Sequence, residues 1–304
     1  MRPADLVRLV VLAALWGGSF MLVRVVAPAL GTIVTAESRV AIASIALVAW
    51  CFATGVPLAL RAHAWPMTVV GLFNSALPFA LFAFAVRTVP ASYAAIINAT
   101  SPLFGALIAR AWFGEALGMR RVLGVLCGIA GVAVLVRFGP IEGGREVVVA
   151  CMACLAAALS YGFAGNYSRR HAGVVPPTAM ATGSQIAGAI WLAPLIPFDP
   201  LHALPTGPIV AAAVALGLAS TAAAYVLYFR LIHDVGATRA LTVTFLIPLF
   251  AVGLGWAWLG EAVTWRMGAG GALVLVATWL VVSATNASPR GRPVRVGRDD
   301  ARRA

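Results

Sequence analysis

The sequence contains no lysine: its 22 basic residues are all arginine, set against 10 acidic residues and 4 histidines. No P-loop is present, which excludes ATP hydrolysis through that motif. There is no HExxH pair and no convincing pair of carboxylates at one depth, so the convergent groups an enzyme needs are missing. Cysteine is scarce as well, at 4 residues. Cys151-Met-Ala-Cys154 has CxxC spacing but lies in an apolar run without a second pair or a nearby histidine, so neither metal nor redox chemistry is expected there. His63, His171, His202 and His233 fall in loops and share no ligand spacing. Gly268-Ala-Gly270-Gly271 opens no Rossmann-type helix, and no metal or cofactor is expected. Charge is thin overall, at 11% of residues, and no stretch remains for a folded aqueous domain.

What fills the chain instead is apolar surface, 62% of 304 residues. A helix crosses the hydrocarbon with about 20 residues. Runs of that kind fall at roughly 6–26, 34–53, 65–86, 90–111, 120–138, 147–167, 176–197, 208–229, 237–258 and 266–284. The net charge of +12 reads as topology rather than nucleic-acid binding, because no basic module stands outside the spans. With the N-terminus in the cytoplasm, 16 arginines lie inside and 6 outside, so the positive-inside rule places both termini in the cytoplasm of a multi-pass inner-membrane protein. The apolar opening runs on through Trp16 to Val26 without an obvious cleavage site and reads as an uncleaved span. Three glycosylation-like tripeptides, at Asn98, Asn166 and Asn286, lie in spans or on the cytoplasmic side.

The chain also repeats itself. The run Pro102-Leu-Phe-Gly-Ala-Leu-Ile-Ala-Arg-Ala-Trp-Phe-Gly-Glu115 returns 146 positions later as Pro248-Leu-Phe-Ala-Val-Gly-Leu-Gly-Trp-Ala-Trp-Leu-Gly-Glu261. In the same register Val89 meets Val235, Arg120 meets Arg266 and Gly124 meets Gly270. An odd number of spans per copy turns the second copy over in the membrane, which is how many secondary transporters are built. The expected fold is therefore all-α and integral to the membrane, with ten transmembrane helices as two inverted-topology five-helix repeats. The repeats cover 1–138 and 147–287, with a loop over 139–146 between them and a basic, disordered cytoplasmic tail over 288–304. That tail fixes topology or binds anionic lipid. Gly124-x-x-x-Gly128 reads as a close-packing face within the bundle or between protomers.

At Ala14-Leu-Trp16-Gly17-Gly18-Ser19-Phe20, Arg39, and Pro102 through Gly114-Glu115, the chain resembles the drug/metabolite transporter superfamily with two EamA-type domains, over nearly all of Leu6 to Ala284. The second half departs from that pattern: Trp16-Gly17-Gly18 aligns with Ser160-Tyr161-Gly162, and Arg39 with Gln185. The resemblance implies a ten-helix carrier of small metabolites, with a pathway between the halves lined largely by the third, fourth, eighth and ninth spans.

Polar groups inside the spans mark candidate positions for a substrate. The fourth span offers Asn98, Ser101 and Pro102, and the ninth Thr244 and Pro248. The prolines shape a gate or cavity or merely kink their helices, and the hydroxyls line a site or bond back to their own backbone. The third and eighth spans offer Asn74 and Phe79 against Tyr225 and Tyr228, in which Phe79 aligns with Tyr225. Trp16 either packs among glycines or touches a solute. Glu37 and Arg39 are the charges near the outer end of the second span: Arg39 holds an anionic group or snorkels to the interface, and Glu37 is the plausible coupling carboxylate or an interfacial one. Glu115 and Glu261 read as structural, in turns before helices.

The expected function is secondary transport, most simply export, of small metabolites such as amino acids by alternating access, through a monomer or a homodimer in the bilayer. A passive facilitator or channel and a multidrug efflux protein are the alternatives.

Overall fold

The computed structural model describes residues 2–115, 117–138, 144–171 and 174–286. The expected basic tail and most of the expected inter-repeat loop lie outside the described residues. The helices are α1 (Pro3–Leu30), α2 (Thr32–Thr54), α3 (Ala64–Gly71), α4 (Leu77–Ala85), α5 (Ala91–Asn98), α6 (Ser101–Phe113), α7 (Met119–Phe138), α8 (Arg145–Arg170), α9 (Pro177–Leu192), α10 (Gly207–Gly217), α11 (Ala224–Val235), α12 (Ala237–Ala240), α13 (Val243–Leu259) and α14 (Trp265–Asn286). No strand occurs among the described residues. Two π-helical turns, Leu72–Ala76 and Leu218–Ala223, join α3 to α4 and α10 to α11.

Among the described residues, eight helical runs are long and apolar enough to cross a membrane, and α7 and α13 stand at the places of the other two expected spans. The ninth is reduced to α13, 17 residues long, because the chain turns at Leu241–Thr242 after α12. The fifth is α7, a helix of 20 residues.

The 146-residue repeat is visible in the packing. A Cβ on Gly17 would lie 2.7 Å from Phe250 Cβ and 2.8 Å from the Ile247 carbonyl oxygen, so α1 rides directly on α13. A Cβ on Gly162 would lie 2.7 Å from Gly105 N and 3.0 Å from Phe104 Cβ, so α8 rides on α6 in the same way. Phe104 and Phe250 are 146 residues apart, but Gly17 and Gly162 are 145 apart. In space, Trp16 therefore matches Tyr161 rather than Ser160, a one-residue correction to the sequence register. The seam between α7 and α14 is also glycine-lined: a Cβ on Gly131 or on Gly270 would lie 3.0 Å from the other's carbonyl oxygen, and one on Gly124 would lie 2.9 Å from the Ala277 carbonyl oxygen. The glycine face read from the sequence is thus used inside the bundle.

Acids from the second half cap helices of the first. Gly31, at φ 79°, makes the corner between α1 and α2, and Asp199 Oδ2 accepts the Ile33 backbone N–H at 2.8 Å at the start of α2. Burial works to raise the Asp199 carboxyl, but the Ile33 and Thr32 amides and His202 outweigh it and hold the group below the usual carboxylate range. Glu261, after α13, takes the amides of Ala91 at 2.6 Å and Ser92 at 3.1 Å and the Ser92 hydroxyl at 2.6 Å, capping α5. Arg24 of α1 donates to the carbonyls of Val86 and Val89 beyond the end of α4.

Candidate functional site

A π-turn adds a residue to a helical turn and leaves backbone groups out of register, and such turns cluster at functional sites. Here they begin at Leu72 and Leu218, 146 residues apart. Each receives a polar side chain from the other half. Arg39 Nε of α2 donates to Thr221 Oγ1 at 2.8 Å, and Gln185 Nε2 of α9 donates to Ser75 Oγ at 2.8 Å. Arg39 and Gln185 are repeat mates, as are Ser75 and Thr221, so the two bonds are one interaction written twice. Thr221 donates onward to the Leu216 carbonyl, five residues back, the span that a π-turn provides. Ser160 of α8 donates to the Phe73 carbonyl in the other turn, at 2.6 Å.

Aromatic rings enclose these bonds. The Arg39 guanidinium lies over the Phe79 ring, 3.7 Å from its centroid. Asn74 Nδ2 donates to Tyr225 Oη at 2.7 Å. Trp16 packs on Tyr228 with ring centroids 5.2 Å apart, and their repeat mates Tyr161 and Phe82 meet at 6.2 Å. Trp16, Asn74, Tyr161, Tyr225 and Tyr228 are only half-buried although they sit among the core helices, so accessible space reaches the middle of the bundle. Gln185 is fully buried, and its Oε1 is sealed without a hydrogen-bond partner.

Trp16, Arg39, Asn74, Phe79, Tyr225 and Tyr228 therefore come together, and Arg39, 8% exposed, turns into the bundle instead of snorkelling. Among the described residues, no hydrogen bond or ring contact joins the remaining expected positions to them. Ser101 donates to the Asn98 carbonyl and side-chain oxygen, and Thr244 donates to the Leu241 carbonyl, so both hydroxyls serve their own chain. Pro102 stands in the first turn of α6, after a break at Ala99–Thr100, where it starts a helix rather than bending one. Pro248 is buried within α13. Glu37 holds a carboxylate oxygen sealed from solvent with no hydrogen-bond partner. The sequence reading missed Ser75 and Thr221 as site residues and treated Gln185 only as a lost arginine; the 146-residue offset applied to Arg39 and its bonding partner identifies all three.

The two ends of the bundle differ. Glu261 is engaged with α5, and Ala95 and Ile96 are buried at 0% and 3% exposure. Their repeat mates Leu241 and Thr242 are exposed, Leu241 at 40%. Glu115, the mate of Glu261, pairs instead with Arg169 at 2.9 Å and Arg121 at 3.3 Å.

The sequence matches the model of the EamA-like transporter family twice, over residues 6–137 and 148–283. A probable terminal-alkyne amino-acid exporter of Streptantibioticus cattleyicolor is 28% identical over 285 residues, covering 90% of this chain and 91% of its own. The uncharacterized inner membrane transporter YedA of Escherichia coli K12 is 26% identical, over 82% of this chain and 81% of its own. A crystal structure of a protein 22% identical superposes with a TM-score of 0.65, over 95% of this chain and 100% of that one; it shares the fold.

Proposed function

Because the chain belongs to the EamA-like transporter family, we propose that it is a secondary transporter that exports small metabolites, amino acids among them, across the cytoplasmic membrane by alternating access. Its moving units are the halves 1–138 and 147–287, and both termini face the cytoplasm. The observation that carries this reading is the pair of π-turns, which bring Arg39 and Gln185 of opposite halves into one polar, aromatic-lined centre. A site built across two inverted halves opens to one side or the other as they rock. The amino-acid exporter among the relatives supports the solute class.

The unequal ends describe one state of such a cycle. The end capped by Glu261 is closed around α5, and the end at Leu241 and Thr242 is open. With the termini inside, this is the inward-open state. In the outward-open state the repeats exchange roles: Glu261 releases α5, and Glu115 leaves its arginines for the start of α12. Glu37, a carboxylate oxygen out of water with no partner, is the group that couples a proton.

The test is uptake of labelled amino acids into liposomes holding the purified protein, with and without a pH gradient. Saturable uptake driven uphill by the gradient is the expected result. Flux that only equilibrates makes the protein a facilitator, and no flux for any solute rejects the proposal.

A further inference from the structure

The Arg39 side chain holds more binding capacity than the fold uses. Its guanidinium carries five N–H donors, and among the described residues only Nε finds an acceptor, Thr221. Among the described residues no carboxylate pairs with it; its other contacts are the Phe79 face and the neighbouring rings of Tyr161 and Tyr225. Among the described residues the terminal nitrogens have no hydrogen-bond partner, and they are not sealed from solvent. Beside them stand Tyr161 and Tyr225, which are themselves only partly buried. A permanent charge so deep in a membrane protein, left without a counter-ion, is costly. Phe79 beneath it and Thr221 beside it fix the plane of the fork and leave its outer edge free. That edge is the geometry that takes a carboxylate by two parallel hydrogen bonds.

We propose that Arg39 is the substrate-specificity residue of the central site and that the site takes solutes bearing a carboxylate, held end-on by the two terminal nitrogens with the rest of the solute against Tyr225, Tyr228 and Trp16. The assignment rests on the transport reading for its physiological meaning, but the binding itself does not. The repeat mate at this position is Gln185, so the site carries one such charge and not two. A carboxylate neutralises that charge. An amide of the same shape is neutral at that end and leaves the charge uncompensated.

The experiment uses the full chain in lipid nanodiscs, with thermal stabilisation and Trp fluorescence as readouts. L-phenylalanine is compared with L-phenylalaninamide, L-leucine with L-leucinamide, and chloride alone serves as the inorganic anion. The acids bind the native protein and the amides bind at least about 30-fold more weakly, the loss typical of removing one partner of a buried charge pair. Arg39→Gln, which installs the side chain already accommodated at position 185, abolishes the discrimination, and Arg39→Lys keeps its direction with a smaller ratio. Equal binding of acid and amide by the native protein overturns the assignment without recourse to any variant. So does the absence of any shift with either acid, the same stabilisation by chloride alone, or discrimination that survives Arg39→Gln. Acid-selective binding without flux in liposomes leaves this site standing and rejects the transport reading. Flux that ignores the carboxylate does the reverse.

Discussion

Glu37 and Arg39 are two residues apart on one helix, and their surroundings give them separate tasks. Residues at that spacing face different ways, and Arg39 is spoken for by Thr221 and Phe79. Glu37→Gln keeps shape and removes the titrating group. Uphill uptake driven by a pH gradient is then lost while downhill exchange of the same solute persists, measured side by side in liposomes; loss of both, with the protein still folded, contradicts a coupling role. Tyr225→Phe strips the Asn74 side-chain amide of its acceptor. A polar group left unpaired there costs about 1–3 kcal/mol, read as a higher KM for uptake with little change in maximal rate. Asp199 lies outside the spans, and its carboxyl is held low in the folded state. A depressed folded value means stabilisation that is present above the unfolded carboxylate range and disappears as the pH falls through the folded value. Asp199→Asn therefore lowers the melting temperature at neutral pH, and the gap to the native protein closes in acid.

Among the elements, the helices and their duplication are legible in the sequence, whereas the site is legible only in part. Long apolar runs announce themselves by composition, and Pro102 to Glu115 against Pro248 to Glu261 fixes a 146-residue offset by shared identities. The π-turns leave no such mark, because one extra residue in a helical turn changes neither hydropathy nor length. The inward turn of Arg39 was hidden for a related reason: its partner Thr221 is 182 residues away and becomes visible only when α10 and α2 touch. The Trp16 register was off by one because a single-residue slip between two apolar runs leaves their character unchanged. The turns depend on close helix approach. A Cβ on Gly217 would lie 2.6 Å from Ile42 Cβ and 3.2 Å from the Arg39 carbonyl oxygen. Gly217→Ala therefore pushes α10 off α2 at the residue that presents the guanidinium. Overpacking of this sort costs about 1–3 kcal/mol, seen as a lower melting temperature together with weakened solute binding, whereas the exposed Gly207, with nothing within 4 Å of where a Cβ would stand, tolerates alanine.

For the whole molecule, under the proposed alternating access, the unequal engagement of Glu261 and Glu115 sets which door is shut. Single cysteines in a background lacking the four native ones report it directly. A cysteine at Leu241 reacts quickly with a water-soluble maleimide, and one at Ala95 reacts slowly. Adding Glu261→Gln removes the charge from the α5 cap, so the Ala95 cysteine reacts several-fold faster and the Leu241 cysteine more slowly. Identical rates at Ala95 with and without the substitution would falsify the exchange of caps.

The placement of Arg39 opposite Gln185 has a consequence for ancestry. Two separate copies of a five-helix subunit, packed head to tail, would carry the same side chain at both places and so either two cations in one small chamber or none. A single polypeptide is free of that constraint, and here one side carries the charge and the other an amide. The reward was a chamber with a definite front and back, able to grip a solute by one end. The cost was self-sufficiency, since neither half retains a complete site once parted from the other.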